Sequence, residues 1–542
     1  MRLLLPLCFL ILTIASCAPD PKKILDADAP LIDSVTIDRH LAELASDKYG
    51  GRLPFSEGET LTLDYLETEL QALGLTPGNG KSYRQEVPMI EIAGTPVEII
   101  GLNTISGTLL FNLGSDYITY SDKAQEDNAV SKSDLVFAGF GVVAPEYGWN
   151  DYEGLDVKGK TVVVMVNDPG YYTEDPRLFK GKEMTYYGRY DYKFAEAARQ
   201  GAAACLVIHE TGAAGYPWFV VESSWSGTRL TLEDDGSPKL DLAGWITIGA
   251  AKKLFAATRP DIGGWFALAT KPDFKAIPLN ARLSTQVQNE LRRDKSHNII
   301  ATLPGTTRPE EYVVYTAHWD HIGVGPAVNG DSIYNGALDN ASGTAQLLAI
   351  AEAYSKLPEP PARTVVFLFV TAEEQGLWGS DYYVRNPIFP LAKTVANINI
   401  DGINPIGPAK DLTITGRGHS EMDDLAAKEA KAQGRYVQAD PEPEKGYFYR
   451  SDHFNFAKAG IPVLYAAGGY DHATLGRDYA KKKQAEFVAT RYHQPSDQYS
   501  SGDWPLGGAM QDGELLFKLG LGLANGEGWP KWDKASEFYK ER

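Results

Sequence analysis

The sequence predicts an α/β fold: a mostly parallel central sheet flanked by helices, with a β-rich insertion. Three observations predict it. From residue 298 onward, short apolar runs rich in β-branched side chains alternate with longer helical stretches, the pattern of a sheet covered on both faces. Between roughly 130 and 280 the character changes, with buried-strand runs but no cluster of potential ligands, which marks a separate module. Ahead of both, residues 35–73 carry leucines at helical spacing.

Taken in order, the chain opens on MRLLLPLCFLILTIASCAPD. Arg2 gives a short positive region, 3–14 an apolar segment too short to span a bilayer, and Ala15-Ser16 the small residues before a cut. Ile14-Ala15-Ser16-Cys17 resembles a bacterial lipobox, with an ordinary secretory signal as the alternative. The resemblance implies a signal peptide over 1–16 and a lipid anchor at Cys17. The protein would then sit in the bacterial cell envelope, on the outer membrane facing the periplasm or exterior, since Ala18 rather than Asp follows the cysteine.

Residues 17–33 read as a polar linker, 34–125 as the first part of the larger domain, 126–282 as the insertion and 283–530 as the larger domain's remainder. Leu41, Leu44, Leu61, Leu66 and Leu70 mark buried helical faces, and the glycines and proline of 74–80 end that region. In the insertion, 133–141, 159–166 and 203–209 read as strands, with a helix over 193–201. In the larger domain, strands are expected at 299–303, 312–317, 364–370, 394–400 and 461–466, and a helix at 341–356.

A formal net charge of -19 argues against nucleic-acid binding, which needs clustered Lys and Arg. Of three cysteines, Cys8 leaves with the signal and Cys17 carries lipid, so Cys205 has no internal disulfide partner. Its apolar surroundings predict a small buried residue.

Three expected strands end on chemistry-bearing residues: His318-Trp319-Asp320, Glu373-Glu374 and Asp401. Open α/β sheets gather such residues beyond the carboxyl ends of their strands. Asp339 lies in the glycine-containing loop that opens a helix, and His493 follows Tyr492 near the C-terminus. Two imidazoles with several carboxylates form a nitrogen/oxygen set suited to Zn²⁺. A divalent cation also explains the adjacent glutamates, whose joint ionisation needs compensating positive charge.

These motifs occur in a specific order: His318-x-Asp320, Gly336-Ala-Leu-Asp339-Asn-Ala-Ser-Gly, Ala372-Glu-Glu-Gln-Gly, Asn399-Ile-Asp401, Arg450-Ser-Asp-His-Phe and Tyr492-His493. Together they resemble the co-catalytic two-zinc aminopeptidase family, which includes secreted bacterial leucine aminopeptidases. The likeness covers about 283–525. It extends to residues 44–52, Leu-Ala-Ser-Asp-Lys-Tyr-Gly-Gly-Arg, while the insertion resembles a protease-associated domain.

The resemblance implies a zinc aminopeptidase-like fold and a metallopeptidase that hydrolyses N-terminal residues from peptides through metal-activated water. It implies two Zn²⁺, one held by His318 and Asp401, the other by Glu374 and His493, with Asp339 bridging. Glu373 would be the general base, Asp320 would orient His318, Tyr447 or Tyr449 would donate to the oxyanion, and Arg450 would contact the peptide backbone. It also implies a cis peptide at Asp339-Asn340. Other readings are a carboxypeptidase or dipeptidase resembling glutamate carboxypeptidase, a one-metal glutaminyl cyclase, and a non-catalytic binding ectodomain resembling the transferrin receptor. A serine hydrolase built on Ser342 lacks the Gly-x-Ser-x-Gly elbow. His321 and His453 are expected to support the site or lie on the surface, and Asp452 to fix its own loop.

Overall fold

A computed structural model describes residues 32–541 except 226, 235 and 262–263. The expected signal peptide and Cys17 lie outside the described residues. Among those described, no helix is long and apolar enough to cross a membrane.

Helix α1 (Ser34–Leu44) starts where the Asp33 side chain accepts the Val35 N–H, and it buries Ile37, Leu41 and Leu44. Helix α2 (Glu57–Ala72), capped by Ser56, buries Leu63, Leu66 and Leu70, whereas Leu61 is only half-buried. Strand β1 (Arg84–Pro96) then leads out of this region.

In the inserted region, β2 (Asp127–Phe137), β3 (Thr161–Met165), β4 (Ala204–His209) and β5 (Leu242–Thr247) pair in that order, all parallel. Parallel neighbours need crossovers, and helices α3 (Tyr190–Arg199) and α4 (Ile248–Thr258) supply two of them or flank them. The region is therefore richer in helix than its strand-like sequence suggests. Its core includes Phe137, Leu254, Phe255 and Trp265, and Cys205 is fully buried.

Strand β6 (Ile277–Leu303) is 27 residues long and belongs to both regions. Its first half pairs with β2, its middle pairs antiparallel with β1, and Ile299–Leu303 pairs with β8 below. Alternation of Ile277, Leu279, Ala281 and Leu283 inward with polar residues outward gives the first half its strand form.

The larger region continues with β7 (Arg308–His318), α5 (Ser342–Ser355), β8 (Arg363–Val370), β9 (Thr394–Asn399), β10 (Asp411–Ile414), β11 (Tyr436–Ala439), β12 (Val463–Ala467) and α6 (Gly507–Asn525). The sheet order is β6-β8-β7-β9-β12-β10-β11, and β8, β7, β9 and β12 run parallel. One face, with Tyr315, Val365, Phe367 and Phe369, packs under α5 and α6. The other, with Val314, Val366, Leu368 and Val370, packs on Tyr383, Phe454 and Phe456. Helix α5 is buried nearly all round because α1 and α6 cover the side turned away from the sheet. This mostly parallel sheet between helices is the architecture expected from the sequence.

Candidate metal centre

Parallel β7, β8 and β9 end at one rim, with His318 level with Val370 and Thr316 level with Asn399. The residues just beyond therefore converge. Ala372 adopts φ 51°, turning the chain after β8 so that Glu373 and Glu374 face the rim. Their backbone N–H groups donate to the Asp320 carboxylate at 3.1 and 3.3 Å.

Asp339 arrives from the kinked segment before α5, where Leu338 N and Asp339 N donate to Asp497 Oδ2 at 3.0 and 3.3 Å. The Asp339–Asn340 peptide is cis. Asn340 donates to Ile400 O and accepts from Gly402 N, tying this loop to the one bearing Asp401. Gly336 has φ 56°, and a side chain there would strike the His321 ring. Buried Arg52 donates to the carbonyls of Leu44, Trp319, Asn335 and Gly336, clamping the His318 and Asp339 loops together. His493 also adopts a positive φ, 55°, with the Tyr492 ring stacked on it at 4.0 Å.

The geometry is that of two adjoining cation sites. His318 Nε2 lies 3.2 Å from Asp401 Oδ1 and 3.3 Å from Asp339 Oδ1. His493 Nε2 lies 3.2 Å from Asp339 Oδ2 and 3.2 Å from Glu374 Oε2. Asp339 thus turns one oxygen to each histidine. Tetrahedral Zn²⁺ with bonds of about 2.0–2.1 Å separates neighbouring donors by about 3.3 Å, so the donor set fits zinc. Glu373 Oε2 stands farther off, 3.9 Å from His318 Nε2.

The electrostatics agree. Burial alone would lower His493, but Glu374 and Asp339 overcome it and raise it to about 10. His318 rises well above its ordinary range because Glu373 and Asp401 outweigh burial. Asp339, opposed by burial but hydrogen-bonded to His318 and His493, falls well below the carboxylate range. Burial and Asp339 oppose ionisation of Glu374, yet His493 and His321 bring it down to about 2. Glu373 goes the other way, raised by burial and then by Asp401 and Glu374 despite His318. Without a cation the cluster holds its acids together only by protonating these partners.

His318, Asp320, Asp339, Glu373, Glu374, Asp401 and His493 are thus brought together. The contact between Asp320 and His318 differs from expectation. The carboxylate is 3.6 Å from His318 Nδ1, whereas the Asp320 backbone carbonyl is 3.2 Å away. Tyr449 does not face the cluster, because its hydroxyl donates to Glu537 Oε1 at 2.9 Å in a short helical turn that carries its ring into the core. Tyr447 and Arg450 stand beside one another, guanidinium to ring at 5.4 Å. His321 is neither surface nor remote: its Nδ1 is 2.5 Å from Glu374 Oε1. Asp452 accepts from Ser380 Oγ at 2.6 Å, as a loop-fixing residue would. Sequence reasoning missed Arg52, Asp497, Tyr492, and Tyr465, whose hydroxyl donates to Asp401 O at 3.3 Å. Of these, Tyr492 carried a signal in its place beside His493, and Arg52 in the motif that it ends.

Residues 298–517 match the sequence model of Peptidase family M28. This part of the chain is an M28 domain. Within it lie all of the residues that converge at the rim except Arg52. Mouse aminopeptidase NAALADL1 (Mus musculus) is 30% identical over 167 residues, 29% of this chain and 20% of that protein. A probable zinc metalloprotease from Pyricularia oryzae is 34% identical over 184 residues, 33% of this chain and 31% of its own. The match thus spans well under half of these relatives' length. The solved aminopeptidase of Aneurinibacillus sp. strain AM-1 shares the fold beyond the M28 domain, covering 92% of this chain and 95% of its own at 19% identity, with a TM-score of 0.52.

Proposed function

We propose that the protein is a zinc-dependent aminopeptidase, with one zinc held by His318 and Asp401, a second by Glu374 and His493, and Asp339 shared. The observation that carries this is Asp339 offering one oxygen to each of two histidines at 3.2–3.3 Å. Zinc bound there supplies Lewis acidity toward the scissile carbonyl and brings the pKa of bound water near neutrality. Glu373 is the proton carrier: its carboxyl stands back from His318, its proton affinity is raised by burial, and Asp320 fixes its backbone. It takes a proton from the attacking water at a carboxylate oxygen and passes it to the leaving amine. The acids of the rim attract the peptide's free α-ammonium. With Tyr449 engaged by Glu537, Tyr447 beside Arg450 and Tyr492 stacked on His493 are the tyrosines left to donate to substrate oxygen.

The test is zinc content together with hydrolysis of aminoacyl substrates before and after chelation. We expect about two zinc per chain and loss of turnover without them; undiminished turnover in metal-free protein overturns the reading. Blocking the peptide N-terminus should abolish hydrolysis, and cleavage of a blocked peptide would instead favour a carboxypeptidase.

The inserted region is assigned as a protease-associated domain, and the chain as a lipoprotein anchored at Cys17 in the cell envelope. Cys17→Ser should release the protein from membranes; retention there would count against the anchor.

A further inference from the structure

The inserted region and the M28 domain meet along residues 443–450. Met184 N donates to Pro443 O at 3.1 Å, and a side chain at Gly446 would collide with Met184. Gly215 lies close by, a Cβ placed there falling 3.4 Å from Arg450 Nη2 and from Lys445. Two arginines enter this seam, one from each region.

Arg450 donates through Nη2 to Lys445 O at 2.5 Å, and its guanidinium lies 5.6 Å from the Tyr216 ring and 5.4 Å from the Tyr447 ring. Its Nε is buried without a hydrogen-bond partner, and among the described residues no carboxylate comes within ion-pair distance of it. Arg189 is only 9% exposed, and its Nε is likewise buried and unpartnered, with Asp191 Oδ1 3.5 Å away. Burial and the charge of Arg189 both weigh against the Arg450 cation. Asp191 answers the charge of Arg189 while leaving its Nε without a hydrogen bond, and Arg450 has no such acid among the described residues. Leaving a charged donor buried and unmatched is costly, and a planar carboxylate is the group that matches a guanidinium.

The seam adjoins the metal centre. Ser451, next along the chain from Arg450, accepts through Oγ from Asn399 Nδ2 at 2.7 Å, two residues before Asp401, and Tyr492, stacked on His493, feels the charges of Asp339, Glu374 and Arg450. A peptide whose ammonium meets the acidic rim would therefore run its far end toward the arginines.

We propose that Arg450 and Arg189 form a subsite for a carboxylate of the bound peptide, either its C-terminal group or an acidic side chain. This makes short peptides with a free carboxylate the favoured substrate class, and it rests on the peptidase reading. In the alternative, the arginines only fasten the two regions together.

The full-length zinc-loaded protein separates these. Wild type is compared on a tripeptide as free acid, on its C-terminal amide, and on an amide carrying Glu in place of a neutral residue. If the terminal carboxylate is the ligand, amidation raises KM at least tenfold. If the side chain is, the Glu-containing amide recovers it. Equal kcat/KM for all three overturns the subsite. Arg450→Gln and Arg189→Gln should each shrink the preference for the carboxylate-bearing peptide tenfold or more; a preference equal to wild type overturns it, whatever happens to overall rate.

A second readout needs no turnover. Calorimetric binding of an N-acetylated acidic tripeptide to metal-free protein should weaken at least tenfold in either variant, and unchanged affinity overturns the proposal. Should one variant fail to fold, the other decides. Failure of wild type to cleave any of the peptides would defeat the peptidase reading, while the binding arm would still test the subsite.

Discussion

Both regions of this chain bury charge, but they do so differently. In the inserted region Asp168 accepts from Gly170 N, Tyr171 N, Thr185 N and Thr185 Oγ1, and Asp151 from Phe140 N, Val142 N and Trp149 Nε1. Lys193 gives its ammonium to the carbonyls of Asn167 and Tyr187. Each group is hydrogen-bonded locally, mostly to backbone, although burial still raises both acids to about 7 and lowers Lys193 to about 7. At the M28 rim the Asp339, Glu374 and Asp401 carboxylates meet histidines, His318, His321 and His493, and Glu373 comes no nearer to His318 than 3.9 Å. Buried charge alone therefore does not mark a site. Charge that the fold leaves for something else to satisfy does.

That contrast can be broken by mutation, beginning with the largest effect. Glu373→Gln should keep its zinc, by elemental analysis, and lose about 10²–10⁴-fold in kcat; full activity would place the base elsewhere. Asp168→Asn should do the reverse, costing about 3–5 kcal/mol of stability in denaturant titration while sparing zinc content. A loss of zinc in that variant would mean that the two regions are not electrically separate.

Acid sharpens the comparison further. His40, His419 and His453 of the larger region are each lowered to about 3, chiefly by burial. An unfolded histidine titrates near 6.5, so their contribution is complete above that pH and is lost as pH falls toward 3. Each removes about 2 kcal/mol between pH 7 and 5. Both ring nitrogens of His453 are buried without partners, so His453→Phe should cut the pH 7-to-5 drop in melting temperature; an unchanged drop would refute this. The smallest effect is expected from Ser380→Ala, which removes the donor to Asp452 and costs about 1–2 kcal/mol by thermal unfolding.

Much of the rim could be read from the sequence because its geometry follows from one rule: parallel strands deliver their ends to a common edge. His318, Glu373, Glu374 and Asp401 needed no more than that. Arg52 ends the motif at 44–52, but its role could not be read, since it acts through carbonyls up to 284 residues away that carry no sequence signature. Tyr447 and Tyr449 could not be told apart, because in a tight turn adjacent side chains point in different directions and Tyr447-Phe448-Tyr449 gives no hint which one faces inward. For His321 the sequence leaves two places, supporting the site or on the surface, and the loop decides by folding it onto Glu374. The expected strand at 299–303 was only the tail of β6, whose earlier alternation was absorbed into the insertion's boundary.

That long strand has a consequence for how the molecule is made. Because β1 and β6 zip together between the two regions, the chain from 97 to 286 is a closed excursion whose two ends emerge side by side. Closing so large a loop adds little entropy beyond a shorter one, and the strand that borders β8 is the same strand that pairs upstream with β1 and β2. One strand thus carries the register of both regions, and a one-residue slip introduced upstream of residue 287 would be passed along it to the edge that meets β8.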